Sequence, residues 1–204
     1  MYKLSKTKLF YCFLALFCLL SLFFATPVSA ATKLDCKSVT LSPGHSIIVN
    51  LRNPVGPSLW SSSNSKVATV KFLEGFYDTE TNEIVSRAKI TARGTGTLKI
   101  KVENNKKTYC VKVRVKKNVK TKLTTAKKTI KVGKTFRLRL TNAVDPRINV
   151  LSYNGKIVQI DKNEKGHFEK GTEYVTVKGV KPGTTKIKIK DGKKTYICKV
   201  KVVK

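Results

Sequence analysis

Acid is scarce in this chain: 12 Asp and Glu stand against 42 Lys and Arg in 204 residues, for a net charge of +30. General acid–base and two-carboxylate chemistries need acids held close together. Here Glu74, Asp78, Glu80, Glu83 and Asp161 are spread over segments that read as loops, without tight pairing. Histidine is scarcer still, with only His45 and His167, in S-P-G-H and K-G-H turn contexts. The nucleophile-elbow, zinc-protease and phosphate-loop motifs are all missing. No catalytic residue is assigned, and no enzyme activity is expected. Cysteine is too sparse for a metal centre: Cys36, Cys110 and Cys198 alone follow residue 30, with no C-x-x-C pair. Neither a metal nor a cofactor is expected.

Long apolar runs are also missing past residue 30. The one that exists, residues 9–25, follows Lys3, Lys6 and Lys8 and ends at Val28-Ser29-Ala30. It reads as an export signal with a small-residue cleavage site before Ala31, and is marginal in length for a membrane anchor. Residues 1–30 are expected to be removed, leaving no stable membrane span. That loss takes three lysines and no acid, so the remaining 174 residues carry +27. Such a charge attracts polyanions of any kind: teichoic acids, lipid headgroups, nucleic acid, sulfated glycans. Its other reading is lysine placed on every solvent-facing strand position for solubility.

What is present is said twice. KLDCKSVTLSPGHSIIVNL at 33–51 lies without a gap over KLTTAKKTIKVGKTFRLRL at 122–140, and WSSSNSKVATV at 60–70 lies over VLSYNGKIVQI at 150–160. The two closing segments, 96–115 and 183–202, are alternating apolar and Lys runs around a short turn. Short β-branched runs between Gly, Pro, Ser and Asn clusters predict an all-β chain, and no apolar pattern holds helical spacing for three turns. The duplication predicts two tandem β-sandwich domains, residues 31–116 and 123–204, joined by a short charged linker at 117–122 with modest inter-domain freedom.

Asp191-Gly192 and Asn104-Asn105 are the expected hairpin turns. Counting outward from them pairs Ile187 with Tyr196 and Ile100 with Tyr109 on an inward face, and Lys188 with Thr195 and Lys101 with Thr108 on an outward one. Leu98, Ile100, Tyr109, Val111, Val113 and Val115 form the inward set, answered by Ile187, Tyr196, Val200 and Val202. The outward set is Lys99, Lys101, Lys112 and Arg114, then Lys186, Lys188, Lys199 and Lys201, a candidate basic binding face. Cys198 falls inward, and Cys110 falls outward, opposite Lys99.

The run from Trp60 to Val70, W-S-S-S-N-S-K-V-A-T-V, resembles the group 2 bacterial immunoglobulin-like domain. So do Val132-Gly133-Lys134-Thr135 and the two G-T strands, Gly96-Thr97-Leu98-Lys99-Ile100 and Gly183-Thr184-Thr185-Lys186-Ile187. The likeness covers residues 31–204, with the Trp-Ser-Ser segment degenerate in the second copy. It implies immunoglobulin-like β-sandwiches in a bacterial surface or secreted protein, serving as an adhesive module, a spacer or an accessory domain. In such sandwiches a first-strand segment runs beside the last strand, which offers a Cys36–Cys110 disulfide, with two free thiols the other outcome.

Residues 72–87 are an insertion relative to that family. Phe76, Tyr77, Asp78 and Glu80 there form either a partner-docking loop or a longer hairpin whose aromatics cover a sandwich edge. The functional expectation is a non-catalytic binding protein, secreted or non-covalently wall-associated. Its expected partner is an anionic cell-wall polymer or a surface glycan or protein. The other reading is a structural spacer, or an accessory subunit of a larger surface assembly. Sequence-specific nucleic-acid binding is not expected, since there is no recognition helix and most aromatics take inward parity.

Overall fold

The computed structural model describes residues 30–162 and 166–204. The expected export signal, Ala30 apart, lies outside the described residues. Among these residues every regular element is a β-strand, and no helix is long and apolar enough to cross a membrane.

Ala31–Lys204 holds together as one compact unit containing two separate hydrophobic cores, one per sequence repeat. The first module comprises β1 (Lys33–Leu34), β2 (Ser38–Leu41), β3 (Ser46–Arg52), β4 (Leu59–Ser62), β5 (Ala68–Asp78), β6 (Glu83–Ala92), β7 (Gly96–Asn104) and β8 (Lys107–Val115). Its sheets run β1-β3-β6-β5 and β2-β8-β7-β4. The second comprises β9 (Lys122–Leu123), β10 (Lys127–Lys131), β11 (Thr135–Thr141), β12 (Asn149–Ser152), β13 (Val158–Asp161), β14 (His167–Glu169), β15 (Thr172–Gly179), β16 (Gly183–Asp191) and β17 (Lys194–Val203). Its sheets repeat that order as β9-β11-β15-β13 and β10-β17-β16-β12, with β14 added beside β15. With the opening strand split between both sheets, this is the strand order of an immunoglobulin constant-type sandwich.

The closing hairpins show why the sequence folds this way. Leu98, Ile100, Val102, Val111, Val113 and Val115 are buried in alternation with exposed lysines. Each such side chain contributes about 1.5–3 kcal/mol by leaving water. Gly96 sits at φ 145°, and a Cβ there would meet Val67 Cγ2 at 3.1 Å, which explains the glycine opening the G-T strand.

The register differs from the sequence expectation by one turn residue. Ile100 faces Val111 and Val102 faces Tyr109; Ile187 faces Cys198 and Ile189 faces Tyr196. The shift preserves parity, so the inward and outward sets stand, but Cys110 lies opposite Lys101. The cause is a second job for the residues taken as turns. Asn104 ends β7 facing inward, accepting Val55 N–H at 2.9 Å and donating to Pro57 O at 2.9 Å. Asp191 does the same in the second module, accepting Val144 N–H at 2.9 Å. Both organise the loop after the third strand of their module, so the turns fall one residue later, at Asn105-Lys106 and Gly192-Lys193.

The expected neighbourhood of Cys36 and Cys110 is present, because β2 pairs parallel with β8 and Lys112 N–H donates to Lys37 O at 2.9 Å. The bridge is not made: Cys36, Cys110 and Cys198 are all free. Cys36 precedes the regular strand and turns into the core, its thiol directed at Ser38 O, whereas Cys110 points to solvent. Burial pushes the Cys36 and Cys198 thiols up to about 11. Under native conditions iodoacetamide should therefore modify Cys110 alone, with Cys36 and Cys198 labelled only after denaturation. Peptide mass spectrometry reads the outcome, and native labelling of Cys36 would contradict this placement.

Candidate functional site

Lys99, Lys101, Lys112 and Arg114 are exposed on the outer face of β7 and β8, and Lys186, Lys188, Lys199 and Lys201 on that of β16 and β17. Lys99 pairs directly with Lys112, and Lys186 with Lys199. In the second module Lys127 of β10 extends the latter pair into a row of three lysines. Cross-strand like charges repel. None of these residues takes part in the ion pairs found among the described residues.

The insertion at 72–87 is strand rather than loop: β5 and β6 form a long hairpin with a bulge between Phe72 and Glu74. Its four candidate residues separate. Tyr77 is exposed and donates to Asn82 Oδ1. Asp78 caps the tip, accepting Glu80 N–H at 3.2 Å. Phe76 and Glu80 instead face the second module. The Arg87 guanidinium lies 4.5 Å from the Phe76 ring centroid and 4.9 Å from that of Phe168, so it is held between aromatics of both modules. Glu80 lies 3.3 Å from His167 Nε2.

Arg87 is 2% exposed and satisfied on several sides. It pairs with Glu74 at 3.1 Å, donates from Nε to Asn50 Oδ1 at 3.0 Å, and reaches Gly166 O at 3.4 Å across the junction. The turn between β14 and β15 closes on the uncovered edge of β3, where Ile48 N–H donates to Gly171 O at 2.9 Å. Gly171 has φ 84°, and a Cβ there would stand 2.8 Å from Ile47 Cβ. This contact buries β3 on both faces, including Ile48 and Asn50. The sequence carried a signal for it: S-I-I-V-N-L-R is nearly continuous in apolar residues, whereas its counterpart T-F-R-L-R-L-T alternates.

The linker is docked as well. Asn142, at φ 51°, accepts Ser42 N–H at 3.0 Å and donates to Val119 O. Its own carbonyl accepts from Thr121 Oγ1 at 2.7 Å and from His45 Nδ1 at 2.9 Å. One buried asparagine thus ties the first module, the linker and the second module together.

Behind Arg87, Asn50 donates to both oxygens of Asp35, at 2.9 Å each. Burial nevertheless pushes Asp35 up to about 6, outweighing those hydrogen bonds and the pull of Arg52. Glu83 is also partly desolvated, but hydrogen bonds and charge from Arg52 and Lys33 hold it below its ordinary value. Among the described residues no three His, Cys, Asp or Glu side chains gather as a metal site.

No family model and no curated protein matches the chain. Similar solved structures include domains 5–6 of the S-layer protein SbsC, at 16% identity and TM-score 0.40, covering 87% of this chain and 99% of that one. The I9–I11 tandem of titin follows at 11% identity and TM-score 0.30, covering 85% and 66%. The N-terminal eight immunoglobulin domains of Down Syndrome Cell Adhesion Molecule align at 16% identity and TM-score 0.26, covering 87% and 24%. The immunoglobulin-like assignment rests on the strand order of the two sandwiches.

Arg87→Ala should lower stability by roughly 3 kcal/mol, since it removes the ion pair to Glu74, takes the Nε donor from Asn50 Oδ1 and removes two ring contacts. Urea denaturation measures it; a change below about 0.5 kcal/mol, the level of an ordinary surface substitution, would contradict the clamp. Asp35 predicts a pH trend of definite sign. Its proton is held more tightly in the folded than in the unfolded chain, so its stabilisation is complete below about pH 4 and lost as pH rises towards about 6. That loss is on the order of 3 kcal/mol, and Asp35→Asn should flatten this part of the profile.

Proposed function

We propose that this chain is a non-catalytic binding protein, secreted or non-covalently wall-associated, whose lysine faces hold anionic cell-wall or extracellular polymers. Within this reading its sandwiches are two tandem group 2 bacterial immunoglobulin-like modules, as the Trp60 to Val70 run suggests. The observation that carries the reading is the directly opposed pairing of Lys99 with Lys112 and Lys186 with Lys199. Solubility is served as well by mixed or staggered charges, which avoid cross-strand repulsion. Opposed lysines without an ion-pair partner gain most from a polyanion laid across them. A spacer role is the second reading, favoured by the Arg87 clamp and the docked linker, which hold the modules in one body.

Salt separates the two. Binding of the chain to isolated cell walls should fall steeply and log-linearly with salt, as counterion release requires. Replacing Lys99, Lys112, Lys186 and Lys199 together by Ala should lower the slope by about 3, at somewhat under one per lost contact. Wall retention unaffected by that variant or by salt would leave the spacer reading standing.

A further inference from the structure

The junction between the modules forms a second basic site, separate from the outer faces. A cleft of about 900 Å³ opens there, within the range of ~300–1,000 Å³ common for small-ligand sites. Two different segments supply its charge: Lys117 and Lys120 from the linker, and Lys193 and Lys194 from the end of the β16–β17 turn and the start of β17. The carboxylate of Asp191 also lies there, but its oxygens accept Val144 N–H at 2.9 Å and Asp145 N–H at 3.3 Å. Lysine therefore dominates the field of the cleft.

The remaining lining is not that of a simple ion trap. Tyr196 is half-buried, packs on the core of the second module and lines the cleft together with Pro43, Val119 and Val144. His45 also lines it, with Nδ1 donating to Asn142 O. Apolar surface with an aromatic edge and several cations matches a sugar ring that carries acid groups. A bare phosphate chain has no use for the apolar part.

The cleft is also a product of docking. Beside the corresponding turn of the first module, Lys106 and Lys107 border a cavity of about 350 Å³ that includes Glu103. At the junction, Ser42 of the first module and Asn142 of the second fix Val119 between them, which sets the linker lysines opposite Lys193 and Lys194. The backbone that carries the linker lysines is therefore held by these hydrogen bonds before any ligand arrives.

We propose that the junction cleft binds a short acidic glycan segment, its sugar rings against Tyr196 and its carboxylate or sulfate groups met by Lys117, Lys120, Lys193 and Lys194. The test is calorimetric titration of the chain with a heparin-derived hexasaccharide, a uronate-only hexasaccharide, neutral maltohexaose and linear polyphosphate. Either acidic hexasaccharide, or both, should bind at one site per chain, and the pair of them reports whether sulfate or carboxylate is the group read. Maltohexaose should not bind. Lys193→Ala with Lys194→Ala, and separately Lys117→Ala with Lys120→Ala, should each weaken binding at least tenfold with unchanged melting temperature. Lys186→Ala with Lys199→Ala should change it less than threefold. Loss confined to the outer-face variant would overturn the cleft and leave the outer-face reading intact. Polyphosphate binding as tightly as the glycans, with the same dependence on Lys193 and Lys194, would overturn the glycan assignment. Failure of both acidic hexasaccharides to bind would overturn the site.

Discussion

A guanidinium withdrawn from water holds the two sandwiches together. Burying a charge is costly unless partners replace its hydration. Arg87 finds them on both sides of the junction: Glu74, Asn50 and Phe76 from its own module, Phe168 and Gly166 O from the other. The second module is therefore part of the solvation of a first-module residue. The remaining features of the junction, the β14–β15 turn on the edge of β3 and the linker fixed by Asn142, follow the same line of contact.

The sheets were legible from the sequence because they are built on alternation and duplication, both of which are local. Parity alone sorted Lys99, Lys101, Lys112 and Arg114 from Leu98, Ile100, Val111 and Val113. The exact turn was not legible, since Asn104 and Asp191 carry strong turn chemistry yet are committed to loops distant in sequence. The fate of Cys36 was equally non-local: it lies beside the last strand as expected, but the chain rotates ahead of β2 and carries the thiol inward. The junction was the largest omission. Ile48 and Asn50 replace the Arg137 and Arg139 of the other copy, and that difference marks a sheet face covered on one module and solvated on the other.

The two copies also keep certain residues together with the structural tasks they perform. Asn53 and Asn142 both sit in the left-handed region, at φ 52° and 51°, and their carbonyls accept from Thr32 at 2.6 Å and Thr121 at 2.7 Å. Asn64 and Asn154 both close the turn after the fourth strand of their module, although the Trp-Ser-Ser run before Asn64 is degenerate in the second copy. What diverged is what each module shows to its neighbour. Asn142 gained Ser42 and Val119 as partners, while Asn53 turned its amide to Glu83 at 3.3 Å.

The parallel pairing of β2 with β8 and of β10 with β17 has a mechanical consequence. In each module the strand that enters and the strand that leaves are neighbours running the same way. Tension applied along the chain pulls them in opposite directions, so it loads their hydrogen bonds in shear, all together, instead of peeling them singly from one end. A module wired in this manner yields abruptly at a threshold force, and the linker between the two transmits that load through Asn142.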